Sequence, residues 1–250
     1  MLHTLIQRAL PAIADDARRC YPNESCGLLL DGGDYLPCPN AAPDPRTAFV
    51  IPWDMYLTHD GRIAGVVHSH PDGPEHPSRR DMEGQLATAL PWILVATDGT
   101  GVSPPIVWGD GGVPPLIGRT FRHGVTDCYS LIRGWFQIER GVALPEFPRD
   151  EAWWEKGGDL YRQGFRAAGF CTVDAESAAA GDVVLVQIRS PVPNHAGVLV
   201  ENGLLLHHLT GRLSRREPFG PWRRMVTHYL RHQGDLRHQG DLRHQGAAPC

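Results

Sequence analysis

Apolar side chains recur near helical spacing at the start of the chain, at Leu5, Ala9, Ile13 and Ala17, and predict a helix over Leu5 to Arg18. Asn23 to Leu30 leads into an apolar run of strand character, and Thr47 to Ile51 and Arg62 to His68 read as further strands. Ser78 to Leu90 predicts a helix that starts on a serine cap and stops before Pro91. Trp92 to Thr97 and Pro105 to Trp108 complete an alternating α/β pattern. The cluster Gly109 to Pro115 follows; its glycines relax the backbone and its prolines block pairing, so a domain boundary falls there. Beyond it the order changes. A helix from about Thr126 to Arg140, its start marked by Thr126 and Asp127, and a second over Ala152 to Ala168 precede three strands at Asp182 to Ile188, His195 to Glu201 and Leu204 to Leu209. Asn202-Gly203 between the last two is a strong hairpin signal. Helices first and a meander of strands afterwards predict an α+β unit.

The expected organisation is thus a mixed α/β and α+β chain of two domains, residues 1–108 and 119–230, joined by a Gly/Pro-rich linker over 109–118. With 250 residues, two cores are affordable. From Arg231 the sequence Arg-His-Gln-Gly-Asp-Leu repeats with one leucine per unit, too little to bury a core, and residues 231–250 read as a disordered low-complexity tail. A metal role for its His232, His238 and His244 is the alternative reading.

Composition narrows the partners. Lys and Arg number 24 against 28 Asp and Glu, a formal charge of −4, with no basic excess to neutralise a nucleic-acid backbone. No apolar stretch approaches the roughly 20 residues that span a bilayer; runs such as Val183 to Val186 are strand-sized. Asp15 and Asp16 stand where a signal peptide would have its cleavage region, so export by that route is not expected. The six cysteines (Cys20, Cys26, Cys38, Cys128, Cys171 and Cys250) form no CxxC pair and argue against a disulfide scaffold or a thiolate zinc site.

Two constellations carry chemistry. In the first half, His68 and His70 leave one face of a strand end together, and Ser78 and Asp81 share a face of the following helix. Two imidazoles and a carboxylate are an open zinc set with room for a water. The His pair alone also fits a polar strand edge, with Ser78 as a cap and Asp81 at the helix's positive end. The whole string, His-x-His, seven residues, Ser, two residues, Asp, resembles the JAMM motif of the MPN metallopeptidases, whose upstream glutamate Glu24 matches. The resemblance covers residues 1 to 108 and implies a cytidine-deaminase-like α/β fold, Zn²⁺ on His68, His70 and Asp81, Glu24 as general base and Ser78 beside the developing oxyanion. Cys26 and His76 nearby read as a buried small residue and a loop residue.

In the second half, Cys128 falls at a helix N-terminus, where unpaired N–H groups favour a thiolate. His195 opens one strand and His207 lies toward the end of its neighbour, an arrangement that suits a base and a residue orienting it. Taken singly, Cys128 also reads as a small buried hydrophobe and His195 as part of a turn. Asp127-Cys128, Gly181-Asp182 leading a strand, His195-Ala-Gly197 and His207, in that order, resemble the NlpC-type papain-like cell-wall peptidases over residues 119 to 228. That resemblance implies Cys128 as nucleophile, His195 as base and His207 as the orienting third residue, with His208 the alternative because alternation sends the two to opposite faces. The pattern departs from the family's Asp-Cys-Ser-Gly at Tyr129-Ser130.

A JAMM half joined to an NlpC half resembles the tail-tip assembly proteins of long-tailed phages or prophages. It implies an endopeptidase on the peptide stem of peptidoglycan, a second zinc-dependent (iso)peptidase, other tail-tip proteins as partners, synthesis in the host cytoplasm and a final place at the virion tail tip. The competing expectations are a structural tail factor whose sites no longer turn over and a protease of tail proteins or protein conjugates.

Overall fold

The computed structural model describes residues 1–234, in two compact units that divide between Gly112 and Val113, inside the Gly/Pro cluster. The first unit runs α1 (Leu2–Cys20), β1 (Cys26–Leu30), β2 (Tyr35–Cys38), α2 (Trp53–Thr58), β3 (Ile63–Pro71), α3 (Arg79–Thr88), β4 (Trp92–Thr97) and β5 (Ile106–Trp108). Its five strands lie in the order β2-β1-β3-β4-β5. Only β3 and β4 are parallel, and a parallel pair needs a crossover, here the segment carrying α3. The apolar stripe Ile6, Ala9, Ile13 and Ala17 of α1 packs on Leu29, Val67, Ile93 and Val95 from one face of the sheet. A strand's period of two then turns His68 to the opposite face, among Trp92 and Trp108. There α3 approaches so closely that a Cβ on Gly84 would stand 2.5 Å from the Trp92 ring.

Thr47 to Ile51 forms no strand, contrary to its pattern. The side chain of Asn40 takes the backbone bonds a neighbouring strand would have made: Nδ2 donates to Ala48 O, and Val50 N donates to Oδ1. The short β2 and α2 carried no sequence signal strong enough to announce them.

The second unit holds α4 (Cys128–Arg140), a 3₁₀ turn at Trp153–Lys156, α5 (Leu160–Gly164), β6 (Phe170–Val173), β7 (Val183–Val186), β8 (His195–Val200), β9 (Leu204–His207), β10 (Arg215–Pro218) and β11 (Val226–His232). Its sheet, in the order β10-β9-β8-β7-β11-β6, is antiparallel throughout. Leu131, Ile132, Trp135 and Phe136 of α4 pack on Leu185, Ala196, Val198 and Leu206 from one face. Val184, Val186, Leu199 and Leu205 from the other face meet Phe219 and Trp222, the latter on a 3₁₀ segment, Gly220–Met225. Asn202 and Gly203 both adopt positive φ in the β8–β9 turn, as their sequence promised.

The helix expected over Ala152 to Ala168 is two short pieces. Gly157, at φ +83°, closes the first in the left-handed region, and Asp159 restarts the chain outside helical geometry. The expected tail also begins too early. Arg231 and His232 extend β11, opposite Cys171 and Phe170, because Leu230 is buried in the core and the Arg231 guanidinium donates to both oxygens of Asp182 at 2.8 and 2.7 Å. His238, His244 and the rest of the repeat lie outside the described residues. Among the described residues no helix is long and apolar enough to cross a membrane.

The Phe136 ring is fully buried between Trp135 and Phe170. Phe136→Ala is expected to lower the unfolding free energy of the full chain by about 3–5 kcal/mol in denaturant titration, and a loss under about 1 kcal/mol would contradict a closed core at this ring.

Candidate active sites

In the first unit the site is assembled from β3, α3 and the segment before β1. His68, His70 and Asp81 are all buried, and one ligand atom from each lies within 4.8 Å of the other two. Asp81 Oδ1 stands 3.6 Å from His68 Nε2 and Oδ2 3.3 Å from His70 Nε2. Ser78 is the N-cap of α3: its Oγ accepts from Asp81 N at 3.2 Å and donates to Asp81 Oδ2 at 2.7 Å, and its own N–H donates to the same oxygen. Asp81 thus serves the helix start and the cluster at once.

The donor set fits a divalent metal. His70 Nδ1 lies 2.9 Å from Pro74 O, a carbonyl that accepts only, so Nδ1 carries the hydrogen and Nε2 is the atom the ring can offer a metal. His68 is fully buried and neither ring nitrogen has a hydrogen-bond partner, an expensive state for an imidazole that nothing ligates. The Phe49 ring stacks on it at 4.7 Å. Glu24 faces the same cluster; burial, opposed by His70 and reinforced by Asp81, pushes its carboxyl up to about 7, close to the operating range of a general base. His76 is a partly buried loop residue and Cys26 is buried in β1.

In the second unit Asp127 caps α4, its Oδ1 accepting from Ser130 N at 3.0 Å, and thereby places Cys128 at the first helical position. Cys128 and His195 line one cavity of about 570 Å³ whose walls include Trp153, Trp154 and Phe165. The thiol's side-chain hydrogen-bond partner is Tyr161 Oη at 3.1 Å, not His195. His195 Nε2 instead lies 3.1 Å from His207 Nδ1. His208, just past the end of β9, lines the same cavity and packs on Phe121, and its Nε2 lies 3.0 Å from Arg212 O. Of the two adjacent histidines, His207 is the one that reaches His195.

The expectation of a thiol acidified by the helix start is not met. Burial, reinforced by the Asp127 carboxylate, pushes Cys128 up to about 11. Burial, with His207 and His208 beside it, pushes His195 down to about 3. Thiol and imidazole are therefore both neutral at pH 7, and the arrangement suits proton transfer during attack rather than a preformed ion pair.

Sequence reasoning missed several residues around this centre. Arg149 comes from the irregular stretch between α4 and α5, where no periodicity marked it, and Tyr161 stands on the short α5, inside the expected 152–168 helix but with no motif to mark it as part of a site. Arg149 is buried and donates to Asp127 Oδ2 from Nε at 3.1 Å and Nη2 at 2.6 Å, and from Nη1 to Glu146 and to Phe147 O. Glu217 sits in a charged run on the short edge strand β10, and its carboxylate is 3.1 Å from His207 Nε2; only strand pairing reveals it.

Both halves have recognisable relatives. Residues 7–107 match the family of prokaryotic homologs of the JAB domain, and residues 114–231 match the NlpC/P60 family. The chain is 32% identical over 243 residues to "Tail tip assembly protein K" of Escherichia phage N15, covering 91% of this chain and 95% of that protein. It is 40% identical over 174 residues to "Tail tip assembly protein K" of Escherichia phage lambda, covering 69% of this chain and 83% of that protein. A third relative, "Probable TtuB-protein conjugate cleaving protease" of Thermus thermophilus, is 32% identical over 88 residues, 31% of this chain and 59% of that protein. The fold and sites define a two-domain protein, JAB-like and then NlpC/P60. The chain belongs to the tail tip assembly protein K family of phages.

With its thiol protonated at pH 7, Cys128 is expected to react with iodoacetamide about tenfold faster for each pH unit from 7 to 9, read by mass mapping of its own peptide. A rate already level at pH 7 would mark a preformed thiolate–imidazolium pair.

Proposed function

We propose that this tail tip protein is a peptidoglycan stem-peptide endopeptidase working through Cys128, His195 and His207, and that its first unit is a zinc-dependent (iso)peptidase. The observation that carries the reading is the His195–His207 pair at 3.1 Å, in a site where Cys128 opens α4 and shares a cavity with His195. Cys128 Sγ attacks the amide carbonyl while its proton passes to His195. His195 then delivers that proton to the departing amine, leaving a thioester that water hydrolyses. His207 orients the His195 ring. The apt bond is the amide between D-glutamate and the diamino acid of the stem.

In the first unit His68, His70 and Asp81 would hold Zn²⁺. When bound, zinc supplies Lewis acidity at a carbonyl and acidifies water. Glu24 takes the proton of the attacking water on its carboxylate and returns it to the leaving amine, a task its proton affinity near neutrality suits. Ser78 contributes a hydrogen bond to the developing oxyanion once its hydroxyl turns from Asp81. The partial likeness to a conjugate-cleaving protease supports an isopeptide, or a tail component, as this unit's substrate. The protein would be made in the host cytoplasm, join other tail-tip proteins and open the wall locally from the particle.

The full chain, incubated under reducing conditions with purified stem peptides, is expected to yield products of that cleavage by mass analysis. Cys128→Ala should yield none, and Glu24→Gln should cleave as the wild type does. Cleavage by Cys128→Ala, or none by the wild type, removes the endopeptidase reading. For the first unit, zinc bound to the purified chain should fall in His68→Ala and in Asp81→Ala; equal zinc in all three would place the metal elsewhere.

A further inference from the structure

Beyond its three proposed members, the cysteine site continues across the sheet to an edge strand. β10 pairs with β9 so that Arg215 stands opposite His207 and Glu217 opposite Leu205, which puts Glu217 and His207 on the same face. Glu217 Oε1 lies 3.1 Å from His207 Nε2. The contact is within ion-pair distance but off the axis of the ring N–H, as catalytic hydrogen bonds often are without substrate. The carboxylate is held from two further sides. Trp222 Nε1 donates to Oε1 at 2.9 Å, and Arg215 Nε stands 2.9 Å from Oε2. The same Trp222 ring packs edgewise on His207 at 4.6 Å.

We infer that Glu217 is a positioning residue for the cysteine site, whose carboxylate dictates the order of protons along His207 and His195 and so makes His195 Nδ1 the atom that takes the Cys128 proton. The inference rests on the endopeptidase reading above and deepens it.

Donor and acceptor chemistry sets the order of protons. A carboxylate accepts only and is negatively charged, so it attracts an N–H and repels a lone pair on the nitrogen nearest it. That nitrogen is His207 Nε2. A neutral imidazole has a single N–H, so His207 Nδ1 holds a lone pair. His195 Nε2, 3.1 Å away, must then be the donor between the two rings. His195 in turn has its lone pair on Nδ1, free to receive the thiol proton. The opposite order fails at both ends: it points the His207 Nε2 lone pair at a carboxylate and leaves His195 Nδ1 protonated and unable to act as base. The backbone and the apolar packing fix where the rings sit, yet they are indifferent to which nitrogen carries the proton. Glu217 removes that indifference from two residues away.

The carboxylate also acts when charge appears. The charged and titratable groups around His207 are His195 from β8, Arg215 and Glu217 from β10 and the next residue, His208, with Trp222 a neutral cover. Of these only Glu217 favours positive charge on the imidazole; Arg215 and His208 oppose it. When His195 accepts the thiol proton, Glu217 is thus the group that stabilises the cation through His207. It does not line the cavity that holds Cys128, so its removal should reach turnover rather than substrate binding.

The test reads the wild-type chain first. ¹⁵N spectra of histidine-labelled protein are expected to show His195 and His207 both as Nε2–H tautomers. An Nδ1–H tautomer at either ring overturns the inference, whether or not the chain cleaves stem peptides, so its failure stays distinct from failure of the endopeptidase reading. Glu217→Gln offers His207 a side chain that can donate as well as accept. It should lower kcat about 10- to 100-fold with little change in KM and move the acid limb of the kcat/KM profile to lower pH, because the group that favours the protonated imidazole is gone. Glu217→Asp, which restores the acceptor-only charge, should recover part of the loss. A Glu217→Gln chain with wild-type kcat and pH profile, or a Glu217→Asp chain no better than it, overturns the assignment.

Discussion

In the second unit the buried carboxylate of Asp127 organises the ground around the thiol. It lies beneath the surface with five donors on its two oxygens: Ser130 N and Oγ on Oδ1, Gly124 N on Oδ2, and two nitrogens of Arg149 on Oδ2. The first ties down the start of α4, and the second fixes the turn leading into it. The third draws the 146–149 segment against the helix, where Phe147 and Arg149 become walls of the cavity. Removing one partner from such a pair generally costs about 3–5 kcal/mol, because the other charge is left buried alone. Position of the thiol and shape of the cavity are therefore one electrostatic problem with one solution.

The same bonds carry an electrostatic consequence for chemistry. Although burial works against it, Arg149 and the backbone N–H groups keep Asp127 ionised, and that nearby negative charge, after burial, keeps Cys128 protonated. A helix N-terminus by itself favours a thiolate; here its contribution is outweighed. The cavity thus holds a protonated thiol and a neutral imidazole.

The first unit solves a related problem with different parts. Period two along β3 sends Val67 into the α1 core and His68 to the face that carries His70 and Asp81. The parallel β3–β4 pairing demands a crossover helix, and its N-cap box delivers Asp81 to the two imidazoles. One carboxylate serves as helix cap and prospective ligand, so local helix formation and assembly of the cluster support each other.

Much of this was legible in the sequence. The stripe of α1, the His-x-His strand, the Ser-capped helix with Asp81 one turn on, the Asp127 cap before Cys128 and the Asn-Gly turn are all local patterns, and local backbone preference with period 2 or 3.6 carries them into the fold. What tertiary structure decided were matters of pairing and burial. Asn40 replaced a strand at 47–51, Leu230 and Asp182 drew Arg231 into β11, and strand pairing set His207 beside His195 and brought Glu217 to it. Protonation followed the same rule: the sequence shows a thiol at a helix start, but desolvation and the charge of Asp127 depend on what is packed around it, and only the folded chain determines that.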